Sequence, residues 1–152
     1  MPRKYDKVIF VCTGNTCRSP MAEALLKNLI QEDEIEIQSR GLIVLFSEPI
    51  NPKSEEVLKN HNISINGHTT KQFKTSEVTE STLVLTMTYK QKLKLMLDYG
   101  IENNIYSIKE YVGEFGDVVD PYGGTLLDYE ECFEELALLV KKTMYQLIRD
   151  QD

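Results

Sequence analysis

Short apolar runs in this chain alternate with longer stretches whose apolar residues recur at helical spacing. Lys7 to Cys12 is apolar and β-branched without alternation and stops just before Gly14, which predicts a strand buried on both faces. A helix should follow. Ser19 is placed to be its N-cap, Pro20 suits its first position, and Met21, Ala24, Leu25 and Leu29 share one face. Ile35 and Ile37 alternate with charged residues as in a second strand, and Pro52 to Leu58 opens a second helix. Thr82 to Met87 reads as another buried strand, Tyr89 to Leu97 as a helix, and Ile105 to Ile108 as a short strand. Tyr129, Phe133, Leu136, Val140, Met144 and Leu147 mark a final helix of about five turns. Alternation of strands and helices predicts an α/β fold around a parallel sheet, and 152 residues suit one domain, residues 1–152.

Charge narrows the partners. With 17 basic and 24 acidic side chains, the net charge of -7 argues against non-specific attachment to nucleic acid or to an anionic membrane, so any bound anion must be held locally. No run approaches the ~18 apolar residues of a membrane span, and MPRKYDKVIF lacks a cleavage site after an apolar core. A cytoplasmic, monomeric protein is expected. The three cysteines, Cys12, Cys17 and Cys132, are too few for a secreted disulfide framework and read as thiols.

Open parallel sheets bind ligands where their strands end, and the loop from Cys12 to Arg18 lies at the end of the first strand. The amides of Thr13, Gly14, Asn15, Thr16 and Cys17, entering a helix N-terminus, suit an anion, and Arg18 offers a planar fork matched to two phosphate oxygens. Cys12, at the floor of such a cradle, is favoured as a thiolate nucleophile. Its attack on phosphorus gives a cysteinyl-phosphate for water to hydrolyse, with no metal or cofactor required. The turn-rich segment Asp117 to Gly124 supplies a positioned acid in Asp120, restrained by Pro121, with Tyr122 beside it as a wall of the pocket.

The motif Cys12-Thr13-Gly14-Asn15-Thr16-Cys17-Arg18-Ser19-Pro20, together with Asp120-Pro121-Tyr122-Gly123-Gly124, resembles the low-molecular-weight protein tyrosine phosphatase family over essentially the whole chain. The resemblance implies a three-layer sandwich whose four-stranded parallel sheet is flanked by helices. It implies Cys12 as nucleophile, Arg18 as phosphate clamp and Asp120 as general acid. Ser19 is implied to bond the thiolate, and Asn15 to hold the loop with support from Ser39 and His68. Phosphorylated proteins are the implied substrates. Thr16 is similar to the family's bacterial protein-arginine phosphatases, whereas tyrosine phosphatases usually carry a branched aliphatic residue there. Phosphoarginine is therefore the expected substrate and phosphotyrosine the alternative; Thr16 as a mere β-branched filler is the plainer reading.

Other readings compete. An arsenate reductase needs relay cysteines, and residues 80 to 100 contain none. A phosphate-binding module shares the cradle but has no need of both a nucleophile and an acid. Cys17 is either a disulfide partner shielding Cys12 from oxidation or a buried structural thiol. Cys132 reads as a core thiol, His61 as a charge partner at a helix end, and Glu130, Glu131, Glu134 and Glu135 as a solvated helix face. Leu45 and Phe46 either wall the pocket or cover core.

Overall fold

The computed structural model describes residues 4–30, 34–65 and 67–151. Its elements are β1 (Lys7–Cys12), α1 (Arg18–Leu29), β2 (Glu36–Gly41), α2 (Pro52–Asn60), a 3-10 turn (Thr75–Glu77), β3 (Thr82–Thr86), α3 (Tyr89–Tyr99), β4 (Ile105–Ser107), α4 (Ile108–Tyr111) and α5 (Leu126–Gln151). The strands form one sheet in the order β2-β1-β3-β4, and every pairing is parallel. After β1 the chain passes to a neighbour on one side and then to one on the other. The crevice at the end of β1 is therefore the switch point at which such sheets hold ligands.

The two-sided burial of β1 is what its unbroken apolar run requires. Val8 and Phe10 pack with Leu83 and Leu85 against Met21, Leu26, Phe133 and Leu136 on α1 and α5. Ile9, Val11 and Val84 pack on the opposite face against Phe73, Leu95 and Ile101. Helices thus cover both faces, and each such side chain adds roughly 1.5–3 kcal/mol on burial. β2 is an edge strand and alternates instead: Ile37, Ser39 and Gly41 are buried while Glu36, Gln38 and Arg40 are not. Arg40 grips Glu77 through Nε at 3.0 Å and Nη2 at 2.7 Å, and this charged clamp holds the Glu77 carboxyl below its usual range. A charged edge of this kind discourages pairing with another chain.

Several boundaries differ from the sequence reading, β3 among them, which stops at Thr86 rather than Met87. α1 starts at Arg18 with Cys17 as a cap that makes no side-chain bond, so Ser19 is not the N-cap and Pro20 is not the first helical residue. Pro20 still sits in the first turn, where its missing N–H has no intrahelical partner to lose. The last strand stops at Ser107, whose side chain and Glu110 form a capping box that opens α4. α3 runs on to Tyr99 and ends at Gly100 in the left-handed region. α5 extends at both ends of its apolar stripe. Thr125 and Asp128 exchange side-chain to backbone bonds at its start, and the Gln151 amide pairs with the Tyr5 backbone at 2.9 and 2.8 Å at its end.

Gly41 marks where the sheet meets the loop after β1. A Cβ there would stand 2.6 Å from Val44 Cγ2 and 3.1 Å from both Asn15 Cβ and the Gly14 carbonyl carbon. Gly41→Ala is expected to cost about 1–3 kcal/mol in urea unfolding and to lower turnover by displacing the loop. Unchanged stability and unchanged turnover would show that the loop yields freely.

Candidate active site

Asn15 shapes the loop between β1 and α1. It is completely buried, with φ at 60°, a left-handed conformation that asparagine tolerates better than most residues. Its side chain is bonded at every position. Oδ1 accepts the Lys71 backbone N–H at 3.1 Å, and Nδ2 donates to Ser19 Oγ at 2.8 Å and Ser39 Oγ at 2.9 Å. Its carbonyl oxygen meets His68 Nε2 at 3.0 Å, so Nε2 carries the proton. Ser19 Oγ lies 2.9 Å from Cys12 Sγ, and the Asn15 backbone N–H reaches the same sulfur at 3.3 Å. Cys12, Asn15, Ser19 and Ser39 are thus brought into one buried network, with the partly exposed His68 at its edge. Ser19 is spent on this network, which explains why its hydroxyl does not cap the helix.

Arg18 is the first residue of α1, 5% exposed, and its guanidinium crosses to the loop before α5. Nη1 donates to the Val118 carbonyl at 2.9 Å, and Nη2 lies 3.5 Å from Asp120 Oδ2. That loop is anchored ahead of Asp120 by the Tyr89 N–H on Asp117 Oδ1 and by the buried Val118, whose N–H reaches the Met87 carbonyl. Asp120 itself is about half exposed, and its Oδ1 accepts the Tyr122 N–H at 3.0 Å. The carboxylate therefore stands half exposed beside the Arg18 guanidinium on a tethered base. Tyr122 is largely exposed and lines a cavity of about 540 Å3 beside this loop, together with Asp120, Asp128, Glu131, Cys132 and Glu135.

The remaining loop residues face different neighbours. Thr13 accepts from Gln91 Nε2 at 3.2 Å, and both Thr13 and Arg18 border a second cavity, of about 600 Å3, lined by Leu42, Ile43, Leu93 and Leu97. The Thr16 hydroxyl is 3.7 Å from Cys17 Sγ, and its carbonyl receives the N–H of Asn51, the cap of α2. A Cβ on Gly14 would stand at an ordinary contact distance of 3.7 Å from Thr16 Oγ1, so the hydroxyl does not depend on glycine for its space. Leu45 and Phe46 are exposed and cover no core. His61 caps α2, stacks on Phe133 and sits 2.5 Å from Glu130, as a helix-end charge partner should. Gln91 and Glu23 escaped the sequence reading. Gln91 was signalled by its place in the Thr88 capping box, and Glu23, bonded to Ser39 at 2.5 Å, by nothing local.

The description low molecular weight phosphotyrosine protein phosphatase belongs to a family model that matches residues 7–152. The chain belongs to this family. PtpB of Staphylococcus haemolyticus, named a low molecular weight protein-tyrosine-phosphatase, is 43% identical over 90% of this chain and 96% of its own. The protein-arginine-phosphatase of Bacillus subtilis is 38% identical over 95% and 98%. Among solved structures, the YwlE arginine phosphatase of Geobacillus stearothermophilus superposes with a TM-score of 0.89 at 33% identity, covering 99% of this chain and 96% of that one. As a member of the low molecular weight phosphatases, the protein is a cysteine-dependent, metal-independent protein phosphatase. Among the described residues no helix is long and apolar enough to cross a membrane.

Burial pushes the Cys17 thiol up, against weaker bonds from Thr16 and Tyr129, and pushes the Cys132 thiol up to about 12. Both are neutral and shielded around neutral pH. Iodoacetamide at about pH 8 is expected to leave both as thiols in the folded protein, as read by peptide mapping. Labelling of Cys132 as fast as free cysteine would contradict this.

Proposed function

We propose that the protein hydrolyses phosphoarginine in proteins, with Cys12, Arg18 and Asp120 carrying the reaction. The phosphoryl group is bound by the amides from Thr13 to Cys17 and by the Arg18 guanidinium. Cys12 Sγ attacks phosphorus as the bond to the guanidine nitrogen breaks, and Asp120 gives that nitrogen its proton. Water then attacks the cysteinyl-phosphate, passes a proton to Asp120 and frees inorganic phosphate and the Cys12 thiolate. Support comes from the 3.5 Å approach of Asp120 to Arg18, which sets the acid beside the group that would hold the phosphate.

The choice of phosphoarginine rests on Thr16. A longer aliphatic chain at this place presses on a flat phenyl ring, while a threonine hydroxyl can bond a polar guanidinium or orient the attacking water. The cavity carboxylates Asp120, Asp128, Glu131 and Glu135 suit a cationic leaving group. The 38% identity to a relative named protein-arginine-phosphatase agrees with this reading, and the PtpB relatives keep phosphotyrosine as the alternative.

Asp120→Asn is expected to slow hydrolysis of a poor leaving group far more than that of an activated aryl phosphate. Equal slowing of both removes Asp120 from the acid role. Parallel kinetics on phosphoarginine and phosphotyrosine peptides should favour phosphoarginine. Thr16→Ile should shift the ratio of kcat/KM toward phosphotyrosine by tenfold or more, about 1.4 kcal/mol of transition-state stabilisation. A wild-type preference for phosphotyrosine, or an unchanged ratio, replaces the arginine reading with the tyrosine one.

A further inference from the structure

We propose that Glu23 is a positioning residue for the phosphatase reaction, its carboxylate acting through Ser39 and Asn15 to aim the Ser19 hydroxyl proton at the Cys12 sulfur. The inference rests on the reading of Cys12 as nucleophile. It follows from counting protons along the network.

The Lys71 backbone N–H can only donate, so the Asn15 side chain must present Oδ1 to it, and both Nδ2 protons face the two serines. Each serine hydroxyl therefore accepts from Asn15 and has one proton left to give. Ser39 has Glu23 Oε1 as its other neighbour at 2.5 Å, the length of a hydroxyl donating to a carboxylate. Ser19 has Cys12 Sγ as its other neighbour at 2.9 Å, so its proton goes to the sulfur. The sulfur already accepts the Asn15 N–H, so both neighbours of Cys12 in this network favour the thiolate. Lys71 thus fixes which way the Asn15 amide faces, Glu23 takes and holds the Ser39 proton, and the Ser19 proton is left for the sulfur.

The chain of contacts is buried except at its Glu23 end, which borders a cavity. Asn15 and Ser19 are fully buried, Ser39 is 2% exposed and Glu23 9%. Glu23 lies one helical turn after Ser19 on α1, and Lys27, a further turn on, holds its other oxygen at 2.7 Å. Other charged or titratable groups around the network are Arg18 and Asp120 before the sulfur, His68 on the Asn15 carbonyl, and Arg40 and Lys71, which with Lys27 border the cavity beside Glu23. With Glu23 removed, the Ser39 hydroxyl loses the acceptor that fixes it and holds Asn15 less firmly, so the aim of Ser19 at the sulfur loosens even though Lys71 keeps the amide facing the same way.

The test compares Glu23→Leu, Glu23→Gln, Ser39→Ala and the double variant Glu23→Leu with Ser39→Ala, all in the full chain. The readouts are turnover of an aryl phosphate, the pH profile of Cys12 alkylation by iodoacetamide, and thermal unfolding. Glu23→Leu should lower kcat roughly tenfold with KM within about twofold, and should move the alkylation profile to higher pH. Glu23→Gln, whose amide oxygen still accepts the Ser39 proton, should stay within about threefold of the parent. In the Ser39→Ala background, Glu23→Leu should add nothing further. Equal losses in the Leu and Gln variants, or multiplied losses in the double variant, overturn the proposal. Should Glu23→Leu fail to fold, Ser39→Ala decides alone, because an unmoved alkylation profile overturns it. Turnover that survives complete alkylation of Cys12 refutes instead the nucleophile on which the proposal stands.

Discussion

A single buried amide holds this site in shape. Asn15 is in the left-handed region with no contact to solvent, and its backbone N–H turns onto the Cys12 sulfur. A buried amide tolerates such a place only when each donor and acceptor is met, since an orphaned group costs about 1–3 kcal/mol. The partners come from three segments: Ser19 from α1, Ser39 from β2, and His68 and Lys71 from the chain ahead of the 3-10 turn. The packing of β2 against β1 therefore matters beyond the core. It sets Ser39 at the right depth and brings Gly41, which has no side chain, against the loop.

The elements that depend on local pattern were legible. The run from Lys7 to Cys12 announced a two-sided strand because a parallel sheet between helix layers leaves it no polar face. The loop after it, with Cys12, Arg18 and the amides between them, was legible because its chemistry is contiguous in sequence. Asp120 was legible only through the turn chemistry around it. What escaped notice depends on long-range contact. Ser19 looks like a helix cap to any local rule, and only the approach of Asn15 and Cys12 diverts it. Glu23 looks like one more surface carboxylate on an amphipathic helix, and only the register of β2, which turns Ser39 inward, buries it. The short helix α4 was signalled by Ser107 and Glu110, but the apolar Ile108 between them reads equally well as strand.

The surroundings of Asn15 divide into closed and open parts. Ser19 and Ser39, which take its side-chain protons, are buried, whereas His68 and Lys71 border an open cavity on one side and Tyr122 and the acidic cavity beside Asp120 stand open on another. Relatives named for tyrosine and for arginine chemistry stand at comparable identity to this chain.

The bond from Arg18 to the Val118 carbonyl spans 100 positions of sequence. Loop, helix and strand around Cys12 lie within some twenty residues and can assemble early, but Val118 and Asp120 cannot arrive until the chain has laid down β3, α3 and β4 and returned. Closing so large a loop is entropically late in folding. A partly folded or truncated chain can therefore hold the loop after β1 without the Val118–Asp120 segment beside it, and a newly synthesised molecule brings the two together only when most of its residues have emerged.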